Sequence, residues 1–395
     1  MADQLLFLPQ NDSHAETAAL LEPLLAERGL RSVVLDMDGV FHQGTARYLG
    51  GMPVRHSGLA TEVPFYRLPP HRQMRVVAGA RSLVGSWLSD AAVVVAFNDG
   101  ALQRLILTGA RHRGLPTHLV LDGMVGPRDP SRSLRATARG LLRAIGRRLG
   151  DRAIGSLFPS DLGLTAVDHV YVAGRHSIEV LRAQGTAARM ISATGLPRWP
   201  DPEWGSPTSV RRVLYLTGAF RWHDDPETAT GQEADVEALA EVCAARGLDL
   251  IVRVHPRDDA QAYSTLSAEI VEARSEPLAT TIRRADLTLS FVSTGLFDSI
   301  ILGKPTRVLA VHPRWRRYGK LFIADPIFQA IRNLDQLRAV LTELAGRVDP
   351  VDLDRQRAGL EPYVAATGAE AARRIAAAIA AGNATAAESA GAVEL

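Results

Sequence analysis

The chain has 395 residues, 46% of them hydrophobic, and a formal net charge of +2 at pH 7. That length points to two domains rather than one, and near-balanced charge gives no bulk attraction for nucleic acid. A single cysteine, Cys243, excludes a disulfide framework and a cysteine-rich metal site.

The first elements read as strand, helix, strand. Leu5–Leu8 is an apolar run, Asn11-Asp-Ser-His14 a polar turn, Ala15–Arg28 a helix closed by Gly29, and Ser32–Leu35 a second strand. From Phe41 to Pro70 the pattern is irregular, a long loop with short elements. Gln73–Leu88 is a helix, Ala91–Phe97 a buried strand ending in Asn98-Asp-Gly100, Ala101–Arg113 a helix, and Thr117–Leu121 a strand ending in Asp122-Gly123. Ser131–Leu149 carries leucines on one face and arginines on the other. Asp168–Val172 and His176–Gln184 add another strand and helix.

The helix-free, proline-rich run Gly195–Pro207 marks an interdomain linker, which divides the chain into a domain over 1–197, a linker over 198–209 and a second domain over 210–350. In that second domain, Arg212–Leu216 opens into Thr217-Gly218. Gln232–Arg246 is a helix, with Cys243 at a buried position. Leu248–Val254 ends in His255-Pro-Arg257, and Ala279–Arg284 is a short helix. Leu287–Phe291 is a strand leading to Ser293-Thr-Gly295, after which Leu296, Ile300 and Ile301 recur at helical spacing until Gly303-Lys-Pro305. Thr306–Val311 follows as a strand, then helices at Leu334–Leu344 and Leu353–Ala381, the latter a C-terminal helix over 351–381. Residues 382–395 read as a flexible tail. The fold class is α/β, two doubly wound Rossmann-like domains facing across a cleft. Polar residues collect where strands end, where such sheets bind ligands.

Strand, Ser-Thr-Gly loop and helix make a seat for a phosphate: Ser293 and Thr294 as N-cap residues, the Gly295 N–H at the positive end of a helix dipole, and Asp298 one turn on, in reach of a ribose hydroxyl. The order strand–Asp122-Gly123, strand–His255-Pro256, then Ser293-Thr294 resembles the sialyltransferase and Kdo-transferase type of bacterial GT-B glycosyltransferase. Val254-His-Pro-Arg257, Ser293-Thr-Gly-Leu-Phe-Asp298, Gly303-Lys-Pro305 and Gly195-Leu-Pro-Arg198 also resemble the CDP-glycerol glycerophosphotransferases. The resemblance implies that His255 contacts the donor phosphate or the cytidine, that Ser293, Thr294 and Gly295 hold the phosphate, and that Asp298 takes the ribose. Thr217, Gly218 and Pro256 fall on the same donor side. Fixed N–H dipoles and an imidazolium stabilise a leaving phosphate without a metal, and Arg257 adds a guanidinium fork.

A transferase also needs a base for the acceptor hydroxyl. Asp122 is the first choice. Leu121 stands where the sialyltransferase pattern has the first of two acids, so Asp99 and His14 remain beside it. A His14–Asp122 dyad, with Asp122 holding the imidazole tautomer, is a further option.

The expected activity is metal-independent, inverting transfer of a sugar or polyol-phosphate unit from a cytidine or uridine nucleotide to a hydroxyl acceptor (a glycan, a lipid-linked glycan or a small molecule). No cofactor is expected beyond the nucleotide-activated donor. Two alternatives stand beside it. Val33-Val-Leu-Asp-Met-Asp-Gly-Val40 looks like the first motif of haloacid-dehalogenase phosphatases, with Asp36 as nucleophile and magnesium between Asp36 and Asp38. The other is an epimerase-like or non-catalytic sugar-nucleotide binder.

The start, Met1-Ala-Asp-Gln, lacks a basic n-region, and no apolar run reaches the roughly 20 residues of a membrane span. A cytoplasmic location is expected, with the basic helix Arg132–Arg152 either touching the inner face of a membrane or simply solvated. Trp199, Trp204, Trp222 and Trp315 are stacking surfaces for a base or sugar, or hinge packing.

Overall fold

The computed structural model describes residues 4–125, 166–186, 188–203, 205, 207–222, 225–311 and 326–391, with the backbone alone at 46, 47, 326 and 384–391. The expected helix Ser131–Leu149, the basic segment Arg132–Arg152, Trp204 and Trp315 lie outside the described residues. Those described form two compact units. One holds the residues up to Arg198 together with those from Pro362 onward; the other is Trp199–Glu361.

The first unit is a seven-stranded, all-parallel sheet in the order β3-β2-β1-β4-β5-β6-β7. Its strands are β1 Gln4–Leu8, β2 Arg31–Asp36, β3 Val54–His56, β4 Ala91–Ala96, β5 Thr117–Val120, β6 His169–Val172 and β7 Met190–Ala193. Helices α1 Asp12–Ala26, α2 Asp38–Phe41, α3 Pro70–Trp87, α4 Ala101–His112 and α5 Arg175–Ala183 lie between them. Alternation along each strand sends apolar side chains to both faces, as a helix-covered parallel sheet requires. Leu6, Leu8, Val94 and Ala96 join one core with α3 and α4, whereas Leu5, Phe7, Val93, Val95 and Phe97 join another with α1.

The second unit is a six-stranded parallel sheet in the order β10-β9-β8-β11-β12-β13. It comprises β8 Arg212–Leu216, α6 Pro226–Ala244, β9 Asp249–Val254, β10 Glu269–Glu272, α7 Leu278–Arg283, β11 Leu287–Ser290, α8 Gly295–Ile301, β12 Thr306–Leu309, β13 Ala330–Ile331, α9 Leu334–Gly346 and α10 Pro350–Gly359. Cys243 is buried on α6, and burial pushes its thiol up to about 12.

Some expectations from the sequence change. The Asn11–His14 stretch is not a turn: Asn11 caps α1 by accepting the His14 N–H, so the helix begins at Asp12 and His14 lies in its first turn. The irregular Phe41–Pro70 run is, as expected, a loop with short elements, among them an edge strand, β3, paired with β2. β10 was not expected; among the described residues it pairs only with β9, and its Glu-Ile-Val-Glu is too short and polar to stand out.

The expected single helix Leu353–Ala381 is two helices, α10 and α11 Gly368–Gly391, and the helical backbone runs well into the expected flexible tail. Gly359, Pro362 and a left-handed Gly368 (φ +49°) interrupt the helical run. α11 then belongs to the first unit, where Ala372, Ile375, Ala376 and Ile379 pack with α1 and the sheet. The returning segment crosses Gly174 and Gly195 closely enough that a Cβ on Gly195 would lie 1.9 Å from the Ala366 carbonyl oxygen. Leu196, expected in the linker region, pairs with Thr367 instead. Among the described residues no helix is long and apolar enough to cross a membrane.

Candidate functional site

Each sheet has one place where successive connections run off in opposite directions, between β1 and β4 in the first unit and between β8 and β11 in the second. Loops part there at the carboxyl ends of the strands and leave room for a ligand. The candidate residues gather at these two places, and each is described within its own unit.

In the first unit, Gln10 and His14 follow β1, Asn98 and Asp99 follow β4, and Asp122 follows β5. His14 Nε2 lies 3.2 Å from Asp122 Oδ2. The other ring nitrogen, Nδ1, accepts the backbone N–H of Gln10 at 3.1 Å. The ring also stacks on Phe97, with centroids 5.5 Å apart. Arg198 Nε donates to the Asp122 carbonyl at 3.0 Å. Burial alone would raise the Asp122 carboxyl. Its electrostatic attraction to the His14 ring, the hydrogen bond with that ring and the Arg198 guanidinium outweigh that and hold it at about 2.

The Gln10 side chain donates to the Tyr66 hydroxyl and accepts from Asn98, whose own oxygen takes the Gly100 N–H at 3.3 Å. Asp99, the competing base, is buried and acts electrostatically on Arg104.

In the second unit a cavity of about 480 Å³ is lined by residues 217–220, His255 and residues 292–294. The Thr217 hydroxyl accepts the His255 N–H at 2.9 Å and so joins the ends of β8 and β9. His255 Nδ1 accepts the Arg257 N–H at 3.1 Å, which leaves Nε2 as the protonated nitrogen of the neutral ring. Gln232 holds the floor. Its side-chain oxygen takes the Gly218 N–H at 2.6 Å, and its amide nitrogen donates to Gly218 O, Asp258 and the Tyr263 hydroxyl.

Several expected roles change here. Thr294 stands at the N-cap position of α8 without a side-chain cap bond, because its backbone is already helical. The Ser293 hydroxyl instead takes the Gly295 N–H at 3.1 Å. Asp298 is buried in the body of α8 and does not line the cavity. The Arg257 guanidinium is 5.2 Å over the Trp222 ring and is likewise not part of the lining. Trp199 is fully buried against Phe297, so it is packing and not a stacking platform.

The Asp36-Met-Asp-Gly motif holds its own loop. Asp36 Oδ1 accepts the Asp38 N–H at 2.8 Å, and Asp38 Oδ1 accepts the Gln43 and Gly44 N–H groups at 2.6 and 2.8 Å. A Cβ at Gly39 would meet the Leu59 carbonyl oxygen at 2.6 Å, so the glycine is there for close backbone approach. These carboxylate oxygens are committed to backbone donors, as in turn-forming aspartates. Sequence reasoning missed Gln10, Arg198 and Gln232. Gln10 had a signal in its place two residues after β1, and Arg198 in closing the Gly195-Leu-Pro-Arg198 motif; Gln232 had none.

No protein-family model matches the chain, and no curated protein sequence matches it significantly. Solved structures do match along nearly its whole length. A glycosyltransferase of kitacinnamycin has a TM-score of 0.60 at 18% identity, covering 96% of this chain and 98% of its own. A UDP-glucosyltransferase from Polygonum tinctorium has a TM-score of 0.58 at 13% identity, covering 96% and 99%. A protein designated a UDP-N-acetylglucosamine 2-epimerase from Listeria monocytogenes has a TM-score of 0.60 at 15% identity, covering 96% of each. At these identities the likeness is one of fold: the chain has the GT-B architecture of two parallel, helix-covered α/β units.

Proposed function

We propose that the protein is a glycosyltransferase that moves a sugar from a uridine or cytidine nucleotide to a hydroxyl acceptor by direct, inverting displacement, with no metal required. The observation that carries this reading is the cavity at the β8/β11 switch point, where His255 presents an N–H beside the hydroxyls of Thr217, Ser293 and Thr294. Its volume falls within the roughly 300–1,000 Å³ usual for small-ligand sites. Donors fixed in advance stabilise the charge that grows on a departing nucleotide phosphate. The proposed roles of Gly218 and Gly295 are to keep that backbone close to the ligand; Pro256 and Arg257 set the His255 ring.

The names of the structural neighbours favour uridine over the cytidine suggested by the sequence motifs, and transfer of a polyol phosphate keeps only the motif resemblance as support. In the first unit the Asp122–His14 pair takes the acceptor proton. The protein is proposed to act in the cytoplasm. The expected membrane contact falls on residues 132–152, outside those described.

Calorimetry with UDP, CDP and CMP tests the donor site: wild type binds at least one, and His255→Ala weakens that binding by about tenfold or more, the loss of a hydrogen bond to a charged group. No binding of any nucleotide ends this reading. Transfer that persists in EDTA supports the metal-free mechanism. The epimerase-named neighbour supports a second reading, interconversion of a nucleotide sugar without an acceptor. Turnover of UDP-N-acetylglucosamine to its epimer, with no acceptor added, would select it.

A further inference from the structure

We infer that within the acceptor-activating pair the Asp122 carboxylate is the group that meets the acceptor hydroxyl, while His14 is a positioning residue whose tautomer is imposed by the backbone N–H of Gln10. The inference rests on the transfer reading above and decides which partner is the base.

A backbone N–H has only a proton to offer, so His14 Nδ1, at 3.1 Å from Gln10 N, must be an acceptor. The proton of the neutral ring is then on Nε2, which donates to Asp122 Oδ2 at 3.2 Å. Both ring nitrogens are thereby engaged, and no lone pair is left for a substrate proton. The Asn11 side-chain nitrogen, 3.4 Å from Nε2, is itself a donor and changes nothing in this count.

Exposure decides the same way. The His14 side chain is 2% exposed, with Phe97 against one face, whereas that of Asp122 is 29% exposed. A hydroxyl arriving from solvent reaches the carboxylate and not the ring.

The Gln10 side chain is tied to Tyr66 and Asn98, which anchors the residue whose backbone N–H meets Nδ1.

In the step itself the acceptor O–H bond breaks and its proton passes to the Asp122 carboxylate. The oxygen pair forms the bond to the anomeric carbon, and the bond from that carbon to the nucleotide phosphate breaks with its electrons leaving on the phosphate. Asp122 afterwards returns the proton to water.

The test is long-range ¹H–¹⁵N correlation of the histidine rings in the full chain, labelled with ¹⁵N at histidine, at pH 7.5. The His14 ring is identified by loss of its signals in His14→Gln and, should that variant not fold, by through-bond correlation from its own backbone amide. The expected pattern is one protonated nitrogen, Nε2, and one unprotonated nitrogen, Nδ1. A proton on Nδ1, or a doubly protonated ring, overturns the proposal. Titrating the same sample with UDP, CDP and CMP separates the two claims. The expected tautomer with no nucleotide bound would sink the transfer reading alone, and nucleotide binding with the opposite tautomer would sink this inference alone.

Discussion

His14 and His255 each follow an interior strand of their own sheet, and each accepts a backbone N–H at Nδ1, from Gln10 and from Arg257, both at 3.1 Å. The tautomer is the same in both rings, yet the surroundings differ. His14 is buried, and its Nε2 faces a carboxylate; His255 is half-buried and lines a cavity. In the proposed mechanism the first ring N–H orients a base, and the second, at a cavity wall, serves an anion. The chemistry of a histidine is thus set by what its second nitrogen meets, and the local backbone fixes only which nitrogen that is.

Removing the carboxylate should have the largest effect. Asp122→Asn is predicted to lower transfer by about a hundredfold or more, the usual scale for losing a general base, with nucleotide affinity unchanged. His14→Gln retains a side-chain N–H for Asp122 and is predicted to lose only about tenfold, roughly one hydrogen bond's worth. Equal losses in kcat for the two variants would show that the ring, too, takes the proton.

A third histidine extends the comparison to stability. His118 on β5 is buried, with Nδ1 2.9 Å from the Tyr171 hydroxyl, and its Nε2 has no hydrogen-bond partner among the described residues. Burial pushes the ring down to about 4; the neighbouring His169 adds to this and Asp168 opposes it. The unfolded chain regains an ordinary histidine near 6.5 and so binds the proton first as pH falls. Stability should be level above about pH 6.5 and decline down to about pH 4, by roughly 3 kcal/mol from this group. Urea midpoints of wild type and His118→Phe across that range test it; a decline of equal size in both assigns the loss to other groups.

The smallest expected effect lies under the cavity. Gln232→Ala removes the side chain that bonds both the N–H and the carbonyl of Gly218, and leaves those groups unsatisfied. A loss of about 1–2 kcal/mol in stability and a few-fold loss in nucleotide affinity follow from unmaking part-buried hydrogen bonds. Unchanged affinity would show that the loop above Gln232 does not shape the nucleotide site.

The parts of the site that were legible in the sequence are local. Thr217, His255 and Ser293 could be placed at strand ends because an apolar run followed by a polar break is a pattern of adjacent residues. Thr294 at an N-cap position was legible too, but its missing cap bond was not, since that depends on its own backbone angles. Asp298 and Arg257 were read toward the ligand from position alone; burial took the first and the Trp222 ring the second. Arg198 meets the Asp122 carbonyl across a separation of 76 residues, which no spacing rule reaches.

By itself the sequence determined that the chain makes two parallel, helix-covered sheets, because short apolar runs alternating with amphipathic segments have few other ways to bury both faces. It also determined that polar groups gather at the strand ends. Only the tertiary structure decided that α11 returns to the first unit, because an apolar helix face carries no record of which surface will cover it. It alone decided which nitrogen of His14 holds the proton, because a hydrogen bond's direction follows from where Gln10 and Asp122 stand in space and not from their place along the chain.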